Sequence, residues 1–156
     1  MHYGERMISD YDYEYLVKHC DVTRILEIGT GKSTEALRTN DAEVHTVDRI
    51  YRPVEEFVHQ YVMESEEFWK THDVSGFDLF FIDGSIGTGD VEEIYNRAND
   101  KFKVIFHDYN EGGNHINHDK GVHNYNLVMR HVLDKCHTEF ETGGTHCALL
   151  QCEKIT

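Results

Sequence analysis

Strand-like and helix-like segments alternate along this chain, and the alternation limits the possible folds more than any other feature. Four runs rich in β-branched and aromatic residues have the length of strands, and a helix-like segment lies next to each; they are "RILEIG", "EVHTVD", "FDLFFID" and "FKVIFHD". The run "FDLFFID" is apolar on both faces, as a central strand covered by helices on each side must be. The pattern therefore predicts an α/β fold with a doubly wound, mostly parallel sheet.

The two ends of the chain complete this prediction. Residues 9–20 have a helical apolar face, with Ser9 as the N-cap. Near the other end, "TEFET" and "HCALLQC" are joined by Gly143 and Gly144, which predicts a terminal antiparallel hairpin. A chain of 156 residues is the size of one domain, so we expect residues 1–156 to form a single unit.

The segment after the second strand predicts one long helix. Pro53 suits the first turn of a helix. The apolar residues that follow it recur at helical spacing, and they are Val54, Phe57, Val58, Tyr61, Val62, Phe68 and Trp69. This stripe predicts the buried face of a helix.

Charge and composition exclude several classes of partner. The chain has 29 acidic and 15 basic residues, a formal charge of −14, and no basic run that could neutralise a phosphate backbone. We therefore expect no nucleic-acid partner. No apolar run approaches the length of a membrane span, so we expect no membrane partner. The N-terminal residues show no apolar signal stretch and the four cysteines form no C-x-x-C pair, which favours a reduced, cytoplasmic protein.

The letters GTGKST after the first strand suggest the end of a phosphate-binding P-loop. That motif needs a glycine five residues before Gly31, and the residue there is Leu26. The loop is then too short to surround a phosphate with backbone N–H groups. The run "LFFID" is similar to the strand that precedes the magnesium ligand in such ATPases, but the loop makes this a minor alternative.

An acidic residue and two glycines remain at the end of the first strand. Gly29 and Gly31 allow a sharp turn and a close approach of a ligand. A dinucleotide site would have a third glycine where Thr34 stands, and Glu27 would repel a pyrophosphate. Glu27 suits a cationic or zwitterionic ligand instead. Asp48 ends the second strand about 20 residues later, where a carboxylate can accept hydrogen bonds from ribose hydroxyls.

With these motifs, residues 24–152 resemble the class I S-adenosylmethionine-dependent methyltransferases. "LEIGTG", "VHTVD", "FDLFFIDGS" and "VIFHDY" are similar to four motifs of that family, in the same order, and "TGGTHCALLQC" to its terminal hairpin. The resemblance implies a Rossmann-like fold and S-adenosylmethionine as the cofactor. The residues expected to bind it are Glu27, Gly29, Thr30, Gly31, Ser33, Asp48, Arg49 and Asp83. For Glu27 and Asp48, the alternative is a solvated strand end without a ligand.

One departure from the family lies between Asp48 and Phe77. The family has a helix, a third strand and another helix there, whereas this sequence shows one helix and "THDVSG". We therefore expect six strands, with the third edge strand missing. The adenine side of the site would then be open or completed by another subunit, which favours a homo-oligomer.

The candidate catalytic residues follow the fourth and fifth strands. Asp83, His107 and Asp108 resemble the site of metal-assisted O-methyltransferases, which implies a divalent ion, magnesium or manganese, and a small-molecule or sugar hydroxyl as the methyl acceptor. Two carboxylates suit such a hard cation, whereas an imidazole favours zinc, iron or manganese. Two alternatives remain for His107: a general base without any metal, or a cap of the strand end.

A histidine-rich stretch follows these residues. "NEGGNHINHDKGVHNY" predicts a mobile loop over the active site, and His115, His118 and His123 could bind a transition metal. Two other functions remain open for the whole chain. One is a degenerate fold that binds a nucleoside or a partner without catalysis. The other is a metal-dependent hydrolase or oxygenase that uses Asp83, His107 and Asp108.

Overall fold

The computed structural model describes residues 8–109 and 118–155. Its strands are β1 (Arg24–Ile28), β2 (Glu43–Asp48), β3 (His59–Val62), β4 (Phe77–Ile82), β5 (Ala98–Phe106), β6 (Cys136–Gly143) and β7 (Cys147–Lys154). Its helices are α1 (Asp10–His19), α2 (Lys32–Leu37), α3 (Ser65–Thr71), α4 (Thr88–Arg97) and α5 (His118–Val132).

The strands of the described ranges form one seven-stranded sheet in the order β3-β2-β1-β4-β5-β7-β6. Strands β1 to β5 are parallel, while β7 is antiparallel to β5 and β6. The predicted fold class is confirmed, including the terminal hairpin. Because β1 to β5 run the same way, their carboxyl ends meet at one edge of the sheet, where ligands bind in folds of this type.

Helices cover both faces of the sheet. Neighbouring residues of a strand point to opposite faces, so Leu26 packs in the cluster that includes α3, α4 and α5, and Ile25 in the cluster that includes α1 and α2. Phe80 and Phe81 divide between the same two clusters and are fully buried. The double burial explains why β4 is apolar at nearly every position.

The long helix predicted from Pro53 is wrong, and so is the missing third strand. β3 pairs with β2 along His59–Val62, and the short helix α3 follows it. Phe57 and Val62 of the predicted stripe are 61% and 47% exposed, so the stripe is not one buried face. Pairing with β2 satisfies the backbone groups of residues 59–62 that face β2, and β3 forms one edge of the sheet. The expectation of a second subunit rested on the missing strand, and it loses that basis.

Helix α1 is attached to the turn of the β6–β7 hairpin. The Ser9 hydroxyl accepts a hydrogen bond from the Asp12 N–H at 3.1 Å, which confirms the predicted N-cap. The Asp12 carboxylate accepts hydrogen bonds from the N–H groups of Thr145 (2.7 Å) and His146 (2.9 Å). These contacts place Asp12 at the carboxyl end of β5.

The predicted histidine-rich loop is only partly described. Residues 110–117, which include His115, lie outside the described residues. The stretch from His118 onward belongs to α5 rather than to a loop, and the His123 side chain is exposed on that helix. None of the helices in the described ranges has both the length and the apolar character needed to cross a membrane.

Candidate functional site

A three-residue loop connects β1 to α2. Gly29 has a φ of 107°, a backbone conformation that side chains other than hydrogen rarely allow. Its N–H donates to the Val47 carbonyl at 2.9 Å, and the Thr30 N–H donates to the Asp48 carboxylate at 3.0 Å. The loop is thus fixed to the end of β2 and is too short for a P-loop, as the position of Leu26 predicted.

Glu27 lies beneath this loop and is fully buried. Its carboxylate accepts hydrogen bonds from the hydroxyls of Ser33, Thr34 (2.5 Å) and Thr46 (2.8 Å). Burial raises the pKa of Glu27 to about 7, although the three hydroxyls oppose that shift. In this arrangement Glu27 holds the start of α2 against β1 and β2.

Asp48 also holds the loop, but at the edge of a cavity. Besides Thr30, it accepts a hydrogen bond from the Ile50 N–H at 3.1 Å, and the Arg52 guanidinium lies 3.8 Å away. Asp48 therefore combines a structural role in the loop with a position on the cavity wall.

The cavity has a volume of about 410 Å³, within the usual range for small-molecule sites. Residues from the carboxyl ends of β1 to β4 and from α5 line it: Ile28, Gly29, Val47, Asp48, Arg49, Met63, Glu64, Ser65, Gly84, Ser85 and Lys120. Every polar side chain in this lining is charged or carries a hydroxyl group. The cavity thus suits a polar ligand of moderate size.

The predicted cofactor residues divide into two groups. Gly29, Asp48 and Arg49 line the cavity. The other predicted residues are buried and do not line the cavity, namely Glu27, Thr30, Gly31, Ser33 and Asp83. The Thr30 hydroxyl, for example, is 2.7 Å from the Thr46 hydroxyl. Direct contact of this second group with a cofactor stays a prediction.

The three predicted catalytic residues come together after β4 and β5. The His107 Nδ1 atom lies 2.9 Å from an Asp83 carboxylate oxygen and 3.3 Å from an oxygen of Asp108. On the other side of the ring, the Nε2 atom lies 3.5 Å from Asp12. Asp108 has a φ of 56°, which is unusual for a residue with a side chain and turns its carboxylate back toward His107.

The contacts of His107 favour its protonated form. Burial by itself lowers the pKa of His107, but the contact with Asp12, the hydrogen bond to Asp83 and the charges of Asp83 and Asp108 raise it to about 10. The same contact and the N–H groups of His146 and Thr145 lower the pKa of Asp12 well below its usual value, against the effect of burial. An imidazolium cannot accept a proton, so this arrangement does not favour His107 as a general base near neutral pH.

Lys120, in the first turn of α5, adds a second cation. Its ammonium lies 2.7 Å from an Asp108 carboxylate oxygen and 3.4 Å from an Asp83 oxygen. The next residue, Gly121, packs directly on the turn that holds the cluster, since its N–H donates to the Asp108 carbonyl at 3.2 Å. The close packing of α5 on this turn positions Lys120 between the two carboxylates.

Gly121→Ala should destabilise the protein. A β-carbon at this position would lie 2.4 Å from the His107 carbonyl oxygen and 2.5 Å from that of Asp108, so helix or turn must move. We expect a loss of about 1–3 kcal/mol in the free energy of unfolding, measured by urea denaturation. The control is Gly89→Ala in α4, where a β-carbon meets nothing within 4 Å. That variant should be neutral or slightly stabilised, and equal stability of the two variants would contradict the close packing.

The carboxylates and the imidazole are close enough to hold one metal ion, because ligand atoms of Asp83, His107 and Asp108 all lie within 4.8 Å of one another. One contact opposes a divalent ion here: the Lys120 ammonium already lies 2.7 Å from an Asp108 oxygen and 3.4 Å from an Asp83 oxygen. The described side chains therefore do not fit a resident divalent metal.

Sequence reasoning missed Asp12, Lys120 and the residues from β3 and α3 that line the cavity. Asp12 reaches His107 from 95 positions away, and no spacing rule links residues so distant. Lys120 lay in a stretch that was predicted to be a loop. Met63, Glu64 and Ser65 fell inside the predicted long helix, and a strand signal in "HQYV" was the only available indication of the true arrangement.

Comparison with known proteins identifies the fold. No protein-family model matches the chain, and no curated protein sequence matches it. Solved structures do match: a Staphylococcus aureus protein provisionally assigned as a caffeoyl-CoA O-methyltransferase has a TM-score of 0.66, with 16% identity over 95% of this chain and 85% of that one. An O-methyltransferase from Bacillus cereus, solved in complex with S-adenosylhomocysteine, has a TM-score of 0.63, with 16% identity over 97% and 84%.

A third structure shows how widely this fold is used. A tRNA (m1A58) methyltransferase from Aquifex aeolicus has a TM-score of 0.58, with 13% identity over 98% of this chain and 72% of that one. At these identities the matches show the fold alone, which is that of the class I methyltransferases. The fold by itself does not specify a function, because sites are built on it by individual residues.

Proposed function

We propose that this chain is an S-adenosylmethionine-dependent methyltransferase that methylates a hydroxyl group of a small molecule or sugar. The observation that carries this proposal is the position of the cavity. Gly29 and Asp48 line it at the carboxyl ends of β1 and β2, and the cluster of Asp83, His107 and Asp108 lies at the ends of the next two strands. A cofactor-sized space and a set of charged residues thus lie side by side.

In this proposal the cofactor's ribose hydroxyls donate to Asp48, which is held in place by two backbone N–H groups. The absence of a side chain at Gly29 allows the methionine part to approach the loop. Met63 and Glu64, which follow β3, supply the wall on the adenine side. β3, which the sequence was expected to lack, is present and supports this wall.

The chemistry asks little more of the protein than correct placement. Methyl transfer by displacement needs the acceptor oxygen in line with the methyl carbon and close to it. Asp108 is the most exposed carboxylate of the cluster, with 20% of its side chain accessible, compared with 6% for Asp83. We therefore assign Asp108 as the group that orients the acceptor hydroxyl, and Asp83 and His107 as the groups that position Asp108.

The charge of the chain supports a small acceptor. With a formal charge of −14, the protein repels a polyanion such as RNA at long range. A neutral or cationic small molecule experiences no such repulsion. The proposed acceptor thus differs in charge from that of the tRNA methyltransferase with the same fold.

Asp48→Asn should weaken S-adenosylmethionine binding by at least about tenfold, because charged hydrogen bonds to the ribose contribute about 1.5–3 kcal/mol. The measurement is calorimetric titration of S-adenosylmethionine and S-adenosylhomocysteine into the wild-type and variant proteins. Asp73→Asn, at an exposed aspartate outside the cavity, is the matched control and should bind like the wild type. Failure of the folded wild-type protein to bind either compound would overturn the proposed function.

A further inference from the structure

The position between Asp83 and Asp108 is filled by a side chain of this protein. The Lys120 ammonium contacts both carboxylates, at 3.4 Å and 2.7 Å, and only 26% of the lysine side chain is exposed. These are the two hard oxygen ligands that a divalent cation would need. Lys120 also lines the cavity beside Gly84 and Ser85, so the residue that contacts both carboxylates also borders the space where the ligand is proposed to bind.

We propose that Lys120 is the built-in cation of this site, that it excludes a divalent metal, and that it binds the acceptor oxygen in the metal's place. The statement about the acceptor oxygen rests on the proposed function. The exclusion of metal rests only on the described contacts. The exclusion of a metal distinguishes this chain from the metal-assisted enzymes that its sequence resembles.

The contacts of Lys120 support this inference. Its ammonium faces both Asp83 and Asp108, and partly buried charges of this kind are tolerated only when they are paired. A divalent ion would have to displace the ammonium from both carboxylates.

The chemistry of lysine suits the proposed role. An ammonium has three N–H donors and acts as a compact point charge. The ammonium contacts Asp83 and Asp108 and has a donor left for the acceptor oxygen, whose proton passes to the Asp108 carboxylate as the methyl group is transferred. The rigid contact of Gly121 with the turn keeps the lysine backbone at a fixed distance from both carboxylates.

The test is a titration of manganese into the metal-free protein, in which electron paramagnetic resonance and calorimetry measure binding. The variants are Lys120→Met, which removes the charge but keeps much of the length, and Lys120→Arg, which keeps the charge. We expect no detectable binding at this site in the wild type and in Lys120→Arg. Lys120→Met should bind manganese at least about tenfold more tightly than either protein.

A second group could give a competing signal. Ligand atoms of Glu43, His45 and His59 also lie within 4.8 Å of one another, at the amino ends of β2 and β3. Glu43 already contacts Arg24 at 2.8 Å and His45 at 2.6 Å, so we assign it a structural role. The wild type and both Lys120 variants are therefore also measured with exposed His59 replaced by alanine, and a signal at the Asp83–Asp108 site should not change with this replacement.

Two results would overturn the inference. One is tight manganese binding by the wild type that Lys120→Met leaves unchanged. The other is a folded Lys120→Met protein that gains no affinity for manganese. Neither result depends on S-adenosylmethionine, so the cofactor titrations and the metal titrations can fail separately. Where methyl transfer to an acceptor is observed, a chelator should leave the wild-type rate unchanged.

Discussion

Asp12→Ala is expected to lower the free energy of unfolding by about 3–5 kcal/mol, the usual cost of removing one partner from a buried ion pair. Asp12 is 1% exposed and His107 is 8% exposed. Without Asp12, the imidazolium loses a facing carboxylate, and the N–H groups of Thr145 and His146 lose their acceptor. The loss would also release α1 from the β6–β7 turn. Urea denaturation at neutral pH measures it.

Two further variants separate the effect of the buried Asp12 charge from the effects of its hydrogen bonds and of an exposed charge on the same helical turn. Asp12→Asn keeps an oxygen that accepts from Thr145 and His146 but removes the negative charge, so it should lose less stability than the alanine variant. Asp10→Ala removes an exposed acid from the same helical turn, where a charge is worth about 0.3–1 kcal/mol. If Asp12→Ala costs no more than Asp10→Ala, the buried contact with His107 has no structural importance.

The parts of the fold that the sequence predicts correctly are those with strong local signals. β1, β2 and β4 are short apolar runs that end in Gly29, Asp48 and Asp83, and their bounds agree closely with the prediction. Helix α1 was predicted from one capping residue and one apolar face. The gathering of Asp83, His107 and Asp108 was also predictable, because the carboxyl ends of neighbouring parallel strands meet at one edge.

The missed parts depend on contacts between distant residues. β3 has four residues and becomes a strand only by pairing with β2, and its local pattern continues the helical spacing of its neighbours. Lys120 faces Asp83 across 37 positions, and Asp12 faces Thr145 across 133. Such pairs follow from the packing of whole helices, which no local pattern contains.

Ionisation of Glu27 is expected to have the second large effect on the free energy of unfolding, and this effect depends on pH. The pKa of Glu27 is about 7 in the folded protein, and the ordinary value is 4.5. Since folding raises the pKa of this acid, the contribution of Glu27 to the free energy of unfolding is most favourable below pH 4.5. This contribution falls as the pH rises from 4.5 to 7 and is constant above 7. The shift corresponds to a loss of about 3 kcal/mol across this window.

Glu27→Gln removes the ionisation and keeps one oxygen, which can accept from the hydroxyls of Thr34 and Thr46, while its NH2 group faces the Ser33 hydroxyl. The free energy of unfolding of the wild type, minus that of this variant, should therefore fall by about 3 kcal/mol between pH 4.5 and 7.5. The subtraction removes the titration of all other groups. Urea denaturation at several pH values measures it, with exposed Glu56→Gln as the control, whose difference should stay flat. A flat difference for Glu27→Gln would mean that the carboxylate is ionised throughout. The loop between β1 and α2 would then rest on a buried charge rather than on a neutral acid.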